Sequence, residues 1–147
     1  MIVLRQVDRC NFDACRRLER ASNWFVGDAD FVLAEAYLYR EDSTAYAICL
    51  DDIVIGLVIV LDRPGEGDPY YSFTDLFIAD PYLGKGWGKL AVQAILDKFR
   101  AEKKRDTVEI QVHRANEIAR NLYSSLGFEK IKVSDWDEDF EVMRLEL

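Results

Sequence analysis

Three glycines stand at alternate positions, Gly84, Gly86 and Gly88, with Lys85 and Lys89 among them. A β-rich run from Phe73 to Ala79 leads into them, and an amphipathic segment from near Gly86 to about Lys103 leads out. Strand, glycine-rich turn and helix together make an anion site. Glycine permits φ > 0 and lets a ligand come close to the backbone. The first helical turn leaves N–H groups without intrahelical partners, and the helix dipole adds partial positive charge there. A phosphate or pyrophosphate satisfies both. The run Gly84 to Leu90 lacks the hydroxyl after lysine that a Walker A loop needs. It also brings the third glycine one residue early for the dinucleotide fingerprint. A turn that only reverses the chain is the simpler alternative, and the two lysines and the immediate helix argue against it.

Other reactive types give less. His113 is the only histidine and ends a β-rich run beside Arg114, which reads as a solvent-facing structural position. Cys10, Cys15 and Cys49 have no metal-ligand spacing, so no metal is expected; they read as reduced thiols of a cytoplasmic protein.

The elements that must position the loop follow from periodicity. Ile2 to Val7 alternates apolar and polar residues, as a strand does. Asn11 is placed to cap a helix over about Phe12 to Arg20, with Phe12, Cys15 and Leu18 on one face. A turn over Asn23 to Asp28 precedes a second helix, about Asp30 to Arg40, with a Phe31, Ala34, Leu38 stripe. Trp24 and Phe25 read as core; Tyr37 and Tyr39 are the candidates for a pocket wall. Thr44 to Leu50 and Ile53 to Leu61 form a hairpin about Asp51-Asp52. Tyr70 to Ala79 is the next strand, and strict alternation puts Phe73, Asp75 and Phe77 on the face opposite Thr74, Leu76 and Ile78. Leu90, Ala91, Ala94 and Ile95 mark the buried stripe of the helix after the glycines. Thr107 to Val112, reached by that helical crossover, is expected to run parallel to the 70–79 strand. Asn116 caps a last helix with Ile118, Ala119, Leu122, Tyr123 and Leu126 on its apolar face, stopped by Gly127. Phe128 to Val133 and Phe140 to Leu147 finish the chain. The result is an α/β single domain over 1–147 with a mixed sheet, in the order β-α-α-β-β-β-α-β-α-β-β.

Composition fits that reading. The sequence has 147 residues, 50% hydrophobic and 31% charged, with net charge −8. An acidic balance argues against nucleic acid as a partner. No apolar run reaches the roughly 18 residues of a membrane span, and the first residues lack the form of a signal peptide; a cytoplasmic location is expected.

Two motifs and the element order carry a resemblance. Leu83-Gly84-Lys85-Gly86-Trp87-Gly88 resembles the Gln/Arg-x-x-Gly-x-Gly/Ala pyrophosphate loop of the GNAT superfamily of acyl-CoA-dependent N-acyltransferases. Asn116, Ala119, Leu122-Tyr123 and Gly127-Phe128 are similar to that superfamily's Asn…Ala…Leu-Tyr…Gly-Phe series, in the same order. Within it, Thr74-Asp75-Leu76-Phe77-Ile78 and the Trp24 to Tyr37 region look most like bacterial diamine, spermidine or spermine N-acetyltransferases.

The resemblance implies acetyl-CoA as co-substrate, a small-molecule amine as acceptor and a GNAT-like sheet whose parallel strands at about 70–79 and 107–112 splay apart. Strand edges and aromatic surfaces allow a homodimer as one assembly. The backbone of Gly84, Lys85, Gly86, Trp87, Gly88 and Lys89 would hold pyrophosphate. Leu76, Phe77 and Ile78 would pair with the pantetheine arm, an N–H near Ile78 would face the thioester oxygen, and Asn116 would help place the cofactor. Tyr123 would be the acid that protonates the departing thiolate; by periodicity alone it is a core tyrosine. Thr74, Glu35 and Tyr37 are the candidate acceptor contacts. A Lys-like amine, of pKa roughly 10.4, must lose a proton to attack. Thr74 cannot take it, yet it stands where polyamine acetyltransferases carry a carboxylate. Glu35, Glu41 and Asp68 are the substitutes, with Asp75 turned away by alternation. Leu83 replaces the Gln or Arg that would touch the pyrophosphate. A protein N-terminal or lysine acetyltransferase and a non-catalytic acyl-CoA-binding regulator stand as alternatives.

Overall fold

The computed structural model describes residues 1–20, 25–65 and 67–147, so the expectation for Trp24 lies outside the described residues. The elements are β1 (Ile2–Gln6), α1 (Phe12–Arg16), α2 (Ala29–Leu38), β2 (Thr44–Leu50), β3 (Ile53–Leu61), β4 (Ser72–Ile78), α3 (Trp87–Glu102), β5 (Thr107–His113), α4 (Glu117–Ser125), β6 (Glu129–Val133) and β7 (Phe140–Glu146), with a single 3₁₀ turn at Asp80–Tyr82. Their order is the expected one. No helix among the described residues is long and apolar enough to cross a membrane.

Strands β1-β2-β3-β4 form one antiparallel sheet and β5-β7-β6 a second. The sheets meet at an isolated parallel bridge between Tyr71 and Val108. There Tyr71 N–H donates to the Thr107 carbonyl at 2.8 Å and Glu109 N–H to the Tyr71 carbonyl at 2.9 Å. Beyond that bridge β4 and β5 are not paired, which is the expected splay. Two apolar layers hold the sheets. Ile95, Phe99 and Tyr123 fill the layer under α3 and α4 with Phe73, while Val32 and Cys15 fill the layer under α1 and α2 with Phe77.

Phe73 and Phe77 therefore lie on opposite faces, contrary to simple alternation. The cause is a β-bulge. Leu57 pairs with Phe77 but Ile59 pairs with Thr74, so Asp75 and Leu76 together oppose Val58. Asp75 takes φ 55, the left-handed region, to accommodate the extra residue. Each residue after the bulge is shifted by one face.

Local capping differs from the expectation in part. Asp28 caps α2 by accepting from Phe31 N–H at 3.0 Å. Asn11 makes no cap bond to α1, because its Oδ1 accepts from Asp8 N–H at 2.9 Å. The buried side of α2 is Ala29 and Val32, and Phe31 and Leu38 are exposed. Apolar residues surround this helix on most sides, so its sequence does not select a face. In α3 the buried stripe is Ala91, Val92, Ile95, Leu96 and Phe99, with Leu90 outward; in α4, Ile118 is outward.

Candidate active site

The splay between β4 and β5 opens a cavity of about 930 Å³. Its floor is the backbone of β4, and its far wall is β5 from Ile110 to His113. At one end lies the glycine loop. Gly84 and Gly86 have φ 76 and 81, and a Cβ on either would meet open space. Gly86 is the N-cap of α3 and supplies no side-chain cap. The N–H groups of residues 84 to 89 donate to no acceptor among the described residues. A helix of 16 residues with a bare first turn and no acidic side chain in it presents several aligned donors to an anion. Gly88 faces α4, where a Cβ would make ordinary contact with Leu122 at 3.4 Å and Ile78 at 3.8 Å.

The β4 edge is oriented toward the same cavity. Ala79 N–H donates to the Ile55 carbonyl at 2.8 Å on the β3 side. By the alternation of an antiparallel ladder, the N–H of Ile78 points the other way, into the splay. Gly56 opposite makes this approach possible, because a Cβ there would fall 2.2 Å from the Phe77 carbonyl oxygen. Asn116 caps α4, its Oδ1 accepting from Ala119 N–H at 3.2 Å, and lines the cavity as well.

Tyr123 comes from α4 and is only 8% exposed. Its ring meets Phe73 and Phe128 edge-on at 5.9 and 5.7 Å. The hydroxyl makes no hydrogen bond among the described residues and belongs to the cavity lining. Burial raises its pKa, so the group stays protonated at neutral pH.

Across from it is a group that strand alternation conceals. The bulge turns Asp75 toward α2, into the cavity beside Thr74. Its carboxyl is pushed up to about 7, first by burial, then by the hydrogen bond and the charge of Glu35, against the pull of Arg20. One oxygen, Oδ2, is shut from solvent and has no hydrogen-bond partner among the described residues. Arg20 lies 4.5 Å over the Phe77 ring and donates to the Gly27 carbonyl at 2.9 Å. Sequence reasoning missed Asp75 because a bulge leaves no mark in residue type; the only signal was the adjacent Thr74, which could not do the work expected of its position.

Other expected residues are sorted by the same cavity. Leu76, Phe77, Ile78, Thr74, Glu35, Trp87, Gly88 and Lys89 all line it, while Lys85 does not. Tyr37 is 65% exposed on the outside of α2 under the Arg40 guanidinium, so it is no part of the wall. Of the substitute bases, Asp68 accepts from Gly65 N–H in an exposed loop, and neither it nor Glu41 reaches the cavity. Phe25 is not core but cavity wall, and His113 is not a solvent-facing residue: its ring stands 5.2 Å from both Phe25 and Phe140. His113 Nδ1 accepts from Ala115 N–H at 3.1 Å.

A helix start with unpaired N–H donors, set at a splay between parallel strands, suits a phosphate-bearing ligand. Residues 12–128 match the model of the Acetyltransferase (GNAT) family, and the chain belongs to that family. No curated protein sequence matches it. Among solved structures it is similar to the spermidine N-acetyltransferase of Vibrio cholerae in complex with CoA and spermine (TM-score 0.75, 18% identity, 99% of this chain and 95% of that one). It is also similar to a GNAT-family acetyltransferase of Streptococcus pneumoniae (0.73, 15%, 100% of both chains). The aminoglycoside acetyltransferase AAC(6')-Ib in complex with ribostamycin and coenzyme A gives 0.78 at 21% identity, over 99% of this chain and 93% of that one. At these identities the likeness is one of fold.

Proposed function

We propose that the chain moves an acetyl group from acetyl-CoA to a primary amine of a small molecule, by direct attack in a ternary complex. The observation that carries this reading is one cavity holding an uncapped helix start, a protonated tyrosine and a carboxyl titrating near neutral pH. Similar folds were solved with CoA and spermine or with coenzyme A and ribostamycin, both amines, which supports a CoA thioester and an amine acceptor.

Residues 84 to 89 would hold the pyrophosphate through backbone N–H groups, with Lys89 adding charge and Leu83 adding none. The 76–78 backbone would pair with the pantetheine arm, and Ile78 N–H would meet the thioester oxygen as negative charge develops on it. Asp75 is the base: its carboxylate takes the proton that the ammonium must lose, at a pKa suited to neutral pH. As the C–N bond forms and the C–S bond breaks, Tyr123 gives its proton to the departing sulfur, and the second proton shed by the acylated nitrogen restores the tyrosine, leaving amide and CoA thiol. Holding both reactants in one geometry supplies much of the remaining acceleration.

Thiol release measured with a panel of small amines and a peptide N-terminus tests the reading. We expect turnover with small amines, and Tyr123→Phe lowering turnover more than it weakens acetyl-CoA binding. Acetyl-CoA binding by calorimetry without CoA release from any acceptor would leave only a binding protein. A peptide far better than every small amine would move the acceptor to protein N-termini.

A further inference from the structure

The acceptor half of the cavity is built from rings. Phe25 and His113 have centroids 5.2 Å apart, His113 and Phe140 5.2 Å, and Phe140 and Trp136 4.8 Å, so four rings from the chain before α2, the end of β5 and the approach to β7 make one continuous wall. Trp136 is 66% exposed and Phe31, across from it on α2, is 56% exposed, and both line the same cavity. Large apolar surface left open at the mouth of a pocket marks a binding surface.

Charge on that side is sparse and concentrated. The lining carboxyls are Glu35, Asp75 and Asp80, and Arg20 lies among them, in electrostatic contact with both aspartates. One guanidinium offsets one carboxylate, and Glu35 and Asp75 are close enough to disfavour double ionisation. That balance suits a single ammonium. A polyamine would bring two or three further ammonium groups, and among the described residues no further carboxylate lines the cavity to meet them.

Resting on the acetyl-transfer reading above, we infer that the acceptor is a monoamine bearing an aromatic ring, its ammonium at the Asp75–Glu35 pair and its ring on the Phe25, His113, Phe140 and Trp136 wall. Offset and edge-on ring contacts favour an aromatic body over a saturated one of the same size.

The experiment compares 2-phenylethylamine, 2-cyclohexylethylamine, hexylamine and spermidine at saturating acetyl-CoA, by thiol release. Phenylethylamine should exceed spermidine in kcat/KM at least tenfold and exceed cyclohexylethylamine by about 3- to 10-fold, the span expected of aromatic pairing. Trp136→Ala should remove the advantage over cyclohexylethylamine, lowering kcat/KM for phenylethylamine about 3- to 10-fold more than for cyclohexylethylamine or hexylamine; Phe31→Ala provides a second exposed position where folding is not at risk. Spermidine equal to or better than phenylethylamine, or a Trp136→Ala effect of the same size on every amine, overturns the inference. Calorimetry of each amine into the CoA-loaded protein separates the two readings. Tight phenylethylamine and weak spermidine binding without turnover refutes acetyl transfer and leaves the ring site standing. Spermidine binding as tight or tighter overturns the ring site whatever the turnover.

Discussion

Asp75 sits in a left-handed bulge, with one oxygen unpartnered and Glu35 beside it. Its protonation sets the pH behaviour of the site. The base works only when ionised, so kcat/KM should rise with pH along a limb near 7. Asp75→Asn should lower kcat/KM at pH 8 by about 100-fold or more, the usual contribution of a positioned base. Glu35→Gln removes a neighbour that raises Asp75, so the limb should move to lower pH; an unmoved limb would dismiss the influence of Glu35 on Asp75. Stability runs the other way. The folded pKa lies above the ordinary 3.8, so the stabilisation is present in acid and is lost as pH rises through about 7. Asp75→Asn should therefore melt with the wild type near pH 4 and above it at pH 8, read by thermal unfolding at both.

In the proposed reading, CoA affinity depends on the glycine loop. Gly84 and Gly86 both adopt φ > 0, and a residue with a Cβ pays roughly 1–2 kcal/mol to stay there. Gly86→Ala has room for its methyl group but not for the backbone angle, so the loop should relax and misalign the free N–H groups at the start of α3. The expected outcome is a rise of about 5- to 30-fold in KM for acetyl-CoA with kcat at saturation little changed, measured against Gly67→Ala, whose loop site is open and has ordinary φ. A loss in kcat alone would move the role of Gly86 from binding to chemistry. The bulge in β4 is the other decisive element, since it turns Asp75 toward α2.

At the scale of the whole molecule, two sheets are joined by one bridge at Tyr71 and Val108, and the ligand cleft is the rest of their border. A ligand wedged there would bind the folded chain alone. At 100 times its Kd, acetyl-CoA should add about 2.7 kcal/mol and raise Tm by roughly 5–10 °C for a domain of this size. Amide exchange should slow most in β4, β5 and the start of α3; protection spread evenly over both sheets would argue against a cleft site. The sequence by itself determined the order of elements, the parallel crossover and the glycine loop, because each is written in local chemistry: period, breakers, caps and φ-permissive residues. The motif resemblance singled out Tyr123 and Asn116, which by position on α4 alone are a core tyrosine and a helix cap. Tertiary structure alone decided what faces what. An α2 apolar on most sides buries whichever face the sheet demands, so Phe31 is free to meet ligand and Tyr37 is turned away. A single extra residue in β4, fixed by its pairing with β3, reverses the faces after Thr74. Phe25, His113 and Trp136 form one wall only because the ends of β5 and β7 are brought beside the chain before α2. Residue types carry propensity along the chain, and the side on which a carboxyl or a ring finally stands is set by packing partners far from it in sequence.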